Sequence, residues 1–183
     1  MKNLIQRTIT GILFVATVLF CIGFGKYSFI ILFFLITMLG LWEFYSLAER
    51  IELKPQKLTG TLAGCAFFLI ASLYYQQLIP RMYLIIILLL LFIIPIFELY
   101  KKNSQPLVNI CVTLGGIFYL CIPLVLLNHL PYPPPFYPDF VFPQYNPNIL
   151  LGFFFLSWTN DTFAYIFGVK FGKHKLFESV SPN

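Results

Sequence analysis

Long apolar stretches, separated by short groups of charged residues, recur along the whole chain. A helix needs about 20 apolar residues to cross the hydrocarbon core of a bilayer. Stretches of roughly that length predict transmembrane helices over residues 6–24, 27–46, 58–77, 81–100, 107–127 and 148–168. Only Lys26 separates the first two stretches, so we expect them to form a close hairpin.

The composition supports a membrane protein. Hydrophobic residues make up 59% of the 183 residues and charged residues only 10%, whereas soluble domains carry about 25% charged residues. The run from Ile9 to Gly25 leads straight into a second apolar stretch and lacks a small-residue cleavage site, which indicates a retained span and not a signal peptide. We therefore expect an all-α, polytopic helical bundle that forms a single transmembrane domain over residues 1–183.

The distribution of positive charge predicts the orientation of these spans. If the N-terminus is cytoplasmic, two basic residues, Lys26 and Arg81, lie on the outer side of the membrane. The other ten of the 12 fall on the cytoplasmic side: Lys2, Arg7, Arg50, Lys54, Lys57, Lys101, Lys102, Lys170, Lys173 and Lys175. Lys and Arg are enriched in cytoplasmic loops, so six spans with both ends in the cytoplasm are expected, in a bacterial inner membrane. The net charge of +5 is then a topological signal, and nucleic acid is not an expected partner.

One segment differs from the rest in composition. The stretch from Asn128 to Asn148 holds seven of the 13 prolines, together with several Tyr and Phe residues. Because proline removes a backbone donor and blocks helix formation, the sequence predicts a loop over residues 128–147. The orientation derived above places this loop outside the cell.

Three carboxylates lie in or beside the predicted spans: Glu43, Glu98 and Asp161. Glu43 and Glu98 sit near the cytoplasmic ends of their spans, where a carboxylate can reach water. A plain interfacial role is then as well supported as a functional one. Helix C-termini disfavour negative charge, which favours a partner such as lysine, arginine or a metal ion.

Asp161 is placed differently, because it lies about six residues inside the end of the sixth span. An intramembrane carboxylate costs roughly 2.5–3.5 kcal/mol on insertion scales, so it normally faces a bundle interior or a polar cavity. At about 100° per residue, Asp161 shares one helix face with small or polar residues. These residues are Ser157, Ala164, Tyr165 and Gly168. The pattern predicts a helix that lines a cleft open to the cytoplasm, and the alternative is a structural hydrogen bond to a neighbouring helix.

The stretch "GVKFGKHK" follows Asp161 within two helical turns. Gly168 and Gly172 allow close backbone approach, and the lysines concentrate positive charge at the membrane surface. Glycine spaced with lysine suits phosphate binding, and a nearby carboxylate suggests a divalent cation that bridges protein and polyphosphate. The alternative is that the lysines only meet anionic lipid headgroups and fix the topology.

The same residues carry a resemblance to a known family. "NDTFAYIFGVKFGKHKLFESVSPN" (residues 160–183) is similar to a run of the phosphatidate cytidylyltransferases, D-T-x-A-Y-x-x-G-x-x-F-G-K-H-K, which leads into S-P-K-K-T-x-E-G. "QRTITG" (residues 6–11) and "WEFY" (residues 42–45) sit where these membrane enzymes have similar elements. Asn183 stands where the family more often has lysine, and the chain ends in mid-motif. We therefore expect a fragment truncated at its C-terminus and inactive by itself.

The resemblance implies transfer of a cytidylyl group from CTP to phosphatidate, giving CDP-diacylglycerol and pyrophosphate, with Mg²⁺ as cofactor. It implies Asp161 as a catalytic metal ligand and Lys173 as a catalytic phosphate-binding residue. Substrate-binding roles fall to Gly168, Gly172, His174, Lys175 and Ser181. The partners would be CTP and membrane lipid, and the sequence permits a homodimer.

The residues themselves are also compatible with two other functions. CTP-dependent polyprenol or phytol kinases share similar Asp-x-x-Ala and Gly-x-x-x-Gly-Lys elements, but they transfer the γ-phosphoryl group to a lipid alcohol. A cation- or proton-coupled transporter would use Asp161 without any nucleotide.

Overall fold

The computed structural model describes residues 2–101, 105–132 and 145–172, and this part of the chain is helical with no β-strand. Its six α-helices follow one another along the chain. They are α1 (Lys2–Phe24), α2 (Lys26–Arg50), α3 (Lys57–Tyr75), α4 (Ile85–Tyr100), α5 (Pro106–Leu126) and α6 (Pro147–Phe171). A short 3₁₀ helix, Arg81–Leu84, leads directly into α4, and a second one, Leu127–His129, follows α5. The predicted all-α class and the six apolar helices are confirmed.

The helices have the length and composition of membrane spans. Five of them are long and apolar enough to cross a bilayer, and the apolar part of α1, Ile9–Phe24, is a shorter one. Their outer surfaces expose many large hydrophobic side chains, including Leu99 and Tyr100, which are more than four-fifths exposed. Exposed apolar surface on this scale is typical of a protein that faces lipid.

The predicted hairpin between α1 and α2 is confirmed, with Gly25 as the only residue between the two helices. Gly25 has φ +151°, a backbone conformation that L side chains rarely adopt, which explains the glycine. The Ser28 hydroxyl donates to the carbonyl oxygens of Cys21 at 2.7 Å and Gly25 at 2.8 Å. The first of these bonds gives a partner to a carbonyl group in the last turn of α1, where intrahelical donors run out.

The centre of the bundle consists of α2, α3 and α5, which pack against one another. Small residues make this packing close: a Cβ added at Gly60 would lie 2.6 Å from the Tyr45 hydroxyl, and one at Gly116 would lie 2.7 Å from Tyr45 Cε1. The Tyr45 side chain is fully buried between these glycines, and its hydroxyl donates to the Thr113 carbonyl at 2.7 Å. Small residues that let helix backbones approach are a common basis of helix association in membranes.

The remaining helices surround this centre. α1 packs on α2, α4 packs on α3 and α5, and α6 packs on α1. The first half of α6 joins an apolar cluster through buried Leu150 and the partly buried residues Phe154 and Trp158. The prolines and aromatic residues at 133–144 lie outside the described residues. A hydrogen bond joins the two sides of this segment: the Asn146 N–H donates to the Pro131 carbonyl oxygen at 2.9 Å.

Neighbouring glycines in α5 provide a matched test of this packing. Gly116→Ala places a methyl group within 2.9 Å of Tyr45 and Phe44 ring atoms, whereas a Cβ at Gly115 meets nothing within 4 Å. Overpacking of this kind costs about 1–3 kcal/mol, so we expect Gly116→Ala to lower the melting temperature in detergent and Gly115→Ala to leave it unchanged or raise it. Equal melting temperatures for the two variants would contradict the close packing of α2 and α5.

Candidate active site

Four helix ends meet at one end of the bundle, which we call the pocket end. There α2 and α4 finish, and α3 and α5 begin. α6 starts at the opposite end, where the Tyr145 hydroxyl donates to the Ile22 carbonyl near the end of α1 at 2.7 Å. With 25 residues, or about 37 Å of helical rise, α6 therefore runs back toward the pocket end.

Asp161 lies on the part of α6 beyond its packing contacts. Residues 159–168 are all exposed, and so is Asp161 itself. The helix continues to Phe171, three residues past the predicted end. Asp161 is ten residues before the last helical residue, or about 15 Å along the axis. It is seven residues before Gly168, where the membrane-length stretch ends, which is close to the predicted six.

The expected polar face around Asp161 is only partly reproduced. Ser157 is half-buried, while Ala164, Tyr165 and Gly168 are exposed together with Asp161. The described residues therefore form no cleft around this carboxylate. Its assignment as a site residue stays a prediction, and no structural hydrogen bond from a neighbouring described helix explains it instead.

The chain leaves α6 at Gly172. Its N–H donates to the Gly168 carbonyl at 2.9 Å, and an added Cβ would lie 3.3 Å from the Gly168 carbonyl carbon and closer still to its oxygen. Glycine at this position therefore permits a tight exit from the helix. Lys173, His174, Lys175 and Ser181 lie outside the described residues, so their predicted phosphate-binding roles stay predictions.

Glu98 is where the structure departs most from the sequence-based interpretation. Of the two roles left open for Glu98, that of a water-exposed interfacial carboxylate is excluded, because Glu98 is 1% exposed. Its Oε2 accepts from Gln56 Nε2 and its Oε1 accepts from Asn109 Nδ2, both at 2.9 Å. A buried carboxylate needs such donors because desolvating it is costly. Glu43, by contrast, is exposed as an interfacial residue would be.

The Glu98 contacts extend into a network that fixes the α2–α3 connection. Gln56 Nε2 also donates to the Ile94 carbonyl at 2.7 Å, and the Gln56 N–H donates to Thr113 Oγ1 at 2.9 Å. The Lys54 N–H donates to Asn109 Oδ1 at 3.2 Å. This network ties the segment between α2 and α3 to both α4 and α5. The only sequence signal was that isolated polar residues, Glu98 and Asn109, occur in apolar spans near the same predicted surface.

A pocket opens beside this network at the pocket end. Its volume is about 640 Å³, and its walls come from the end of α2, the α2–α3 connection and the start of α5. The lining residues are Glu49, Glu52, Leu53, Lys54, Gln105 and Asn109. Sequence reasoning did not single out this pocket, because its walls are distant in sequence and carry no recognisable motif.

Comparison with protein families matches residues 5–183, nearly the whole chain, to the cytidylyltransferase family. The chain belongs to this family. Searches of curated proteins and of solved structures gave no match. As a cytidylyltransferase family member with membrane-length helices, the protein is a membrane nucleotidyltransferase that uses CTP.

Cytidylyltransferase chemistry raises the question of a metal ion. Mg²⁺ is usually held by one or two carboxylates together with waters and substrate phosphates. Within the described ranges, no three His, Cys, Asp or Glu side chains come together. Asp161 fits such a site as a single exposed carboxylate that would share the ion with substrate phosphates, and a closed cage of protein ligands is not needed for Mg²⁺.

The Glu98 network predicts a loss of stability on substitution. Glu98→Ala removes the acceptor of two buried carboxamides, and an unsatisfied buried polar group costs about 1–3 kcal/mol. We expect a clear fall in the melting temperature in detergent and faster proteolysis near residues 51–56. Glu43→Ala, an exposed carboxylate in α2, is the control and should melt like the parent protein. A parent-like melting temperature for Glu98→Ala would contradict a role for Glu98 in holding these segments together.

Proposed function

We propose that this cytidylyltransferase transfers the cytidylyl group of CTP to phosphatidate, giving CDP-diacylglycerol and pyrophosphate in phospholipid biosynthesis. The observation that carries the proposal is the conjunction of family membership with a carboxylate, Asp161, inside a membrane-length helix. A water-soluble acceptor would not require a reactive group at that depth. A phospholipid acceptor gives a reason for it, because its acyl chains stay in the bilayer and hold its phosphate beside the membrane-spanning helices.

The reaction is an in-line displacement at phosphorus. A phosphate oxygen of phosphatidate forms a bond to the α-phosphorus of CTP, and the bond from that phosphorus to the oxygen bridging to the β-phosphorus breaks. Pyrophosphate leaves with the electron pair. Such a transfer depends on positioning and on neutralising charge more than on covalent help from the protein.

The residues would divide this work between them. Asp161 would hold Mg²⁺, which when bound neutralises phosphate charge and orients the leaving group. Lys173 and Lys175 would bind phosphate oxygens as point charges, with His174 and Ser181 as further contacts. Gly168 and Gly172 would let phosphates approach the backbone at the end of α6. The resemblance of residues 160–175 to phosphatidate cytidylyltransferases supports this division.

Asp161 provides the direct test. The full-length protein that carries residues 1–183, reconstituted in vesicles with phosphatidate, CTP and Mg²⁺, should form CDP-diacylglycerol. Asp161→Ala should lower kcat by about 10²–10³-fold, the range found when one charge-stabilising group is removed. Asn160→Ala, which changes the adjacent exposed residue, should retain most of the activity. Unchanged turnover in Asp161→Ala would remove Asp161 from the mechanism, and folded parent protein that makes no CDP-lipid would refute the proposed acceptor.

We propose further that the pocket end and the end of α6 face the cytoplasm of a bacterial inner membrane, where CTP is available. Ten of the 12 basic residues fall on that side when the helices alternate in direction, as the positive-inside rule requires.

Two turn residues at opposite ends of α3 test this orientation. Glu52 and Gln77 are both exposed and both have positive φ, 64° and 57°. In sealed right-side-out vesicles, a membrane-impermeant maleimide should label Gln77→Cys and not Glu52→Cys. Inverted vesicles should show the reverse. Labelling of Glu52→Cys from the outside would contradict the proposed orientation, and the parent protein controls for the native cysteines.

A further inference from the structure

The pocket at the pocket end has no role in the chemistry assigned to Asp161. Its volume of about 640 Å³ lies within the range of small-molecule sites. It is open to solvent, and it lies at the bundle end toward which α6 runs. The rigidity of the pocket, its charge and its hydrogen-bonding groups determine which ligand it can bind.

The floor of the pocket is held rigidly. Asn109 is 4% exposed, its amide nitrogen donates to Glu98 and its oxygen accepts from the Lys54 backbone at 3.2 Å. Lys54 is thereby fixed at the pocket wall by its own main chain. Preorganised walls reduce the entropic cost of binding a ligand, so this pocket is suited to selective recognition.

The charge of the lining argues against a polyphosphate as occupant. Two acidic residues, Glu49 and Glu52, line it together with one basic residue, Lys54. Glu49 already pairs with Lys57 at 3.1 Å, whereas within the described ranges Glu52 makes no ion pair. A neutral ligand that donates hydrogen bonds to a carboxylate and accepts them from an amine or carboxamide fits this lining better than a phosphate.

The backbone conformation also distinguishes Glu52 from the other lining residues. Glu52 has φ 64°, the left-handed region where glycine is the usual choice at a helix C-terminus. Its N–H donates to the Glu49 carbonyl, and the Leu53 N–H donates to the Ala48 carbonyl, each at 3.2 Å. A glycine here would avoid the strain of about 1–2 kcal/mol, so the side chain of Glu52 has no conformational reason to be present.

A cytosine ring has the complementary groups. Its exocyclic N4 amine donates hydrogen bonds, and Glu or Asp is the side chain that accepts from it. Its N3 and O2 atoms accept, and Lys54 and Gln105 at the pocket wall can donate to them. Uracil carries an oxygen in place of the amine, which a carboxylate repels. Leu53 adds apolar surface for a ring face.

We propose that this pocket binds the cytosine base of CTP, with the Glu52 carboxylate selecting it over uracil. The proposal rests on the use of CTP, and it assigns the base to residues distinct from the phosphate-binding end of α6. Glu52 is in this account a specificity-determining residue that contacts the nucleotide away from the reacting phosphorus.

The test compares CTP with UTP in binding and in turnover. Glu52→Gln keeps the shape of the side chain but offers an amide N–H to the O4 of uracil. We expect the ratio of Kd values for UTP and CTP, and the corresponding ratio of kcat/KM, to fall by about tenfold or more, the scale of one lost base contact. Glu43→Gln, an exposed carboxylate in α2 outside the pocket, should leave both ratios unchanged.

Glu52→Gly separates selectivity from folding. It removes the carboxylate and places glycine at a left-handed position, so its melting temperature should equal or exceed that of the parent protein while discrimination against UTP is lost. Unchanged CTP selectivity in both Glu52 variants would overturn the base pocket and leave cytidylyl transfer intact. CTP-selective binding without any CDP-lipid product would instead refute the acceptor and keep the pocket.

Discussion

The burial of one carboxylate determines how the pocket end of this molecule is built. Glu98 lies at 1% exposure near the end of an apolar helix, where ionisable groups are expensive to desolvate. It is stabilised there only if donors reach it from other segments. Gln56 and Asn109 supply them, and to do so they hold the α2–α3 connection and the start of α5 in fixed positions. The walls of the pocket are the outer surface of that arrangement.

The molecule thus has a tightly packed part and a loosely attached part. Glycines at the crossings of α2, α3 and α5 allow Tyr45 to be buried between helices, and the buried polar network lies at one end of this centre. α6 contacts the bundle through its first half and exposes residues 159–168. Rigid walls suit the proposed recognition of a base, and the exposed carboxylate of Asp161 suits the proposed contact with a metal ion and a lipid phosphate.

The spans could be predicted well from the sequence because the length of an apolar stretch has to match the thickness of the bilayer core. The boundaries of α2 to α5 lie within a few residues of the predicted ones, and the hairpin at Gly25 follows from a single intervening charge. The sixth predicted span, 148–168, matches the membrane-length stretch Pro147–Gly168, and the helix itself continues to Phe171.

The Glu98 network could not be predicted in the same way. Its hydrogen bonds join Gln56 to Glu98 and Gln56 to Thr113, residues more than 40 positions apart, and hydropathy does not say which apolar helices touch. The same limit applies to the cleft expected at Asp161. Helical spacing correctly placed Asp161 and Gly168 on one face, but spacing within a helix carries no information on whether another segment covers that face.

The fate of each CTP phosphate tests the central claim most directly. In the reconstituted full-length protein, supplied with phosphatidate and Mg²⁺, CTP labelled at the α-phosphorus should transfer its label to chloroform-soluble lipid. CTP labelled at the γ-phosphorus should yield labelled pyrophosphate and unlabelled lipid. Lipid labelled from the γ-position would contradict cytidylyl transfer and identify a phosphoryl transfer to lipid instead.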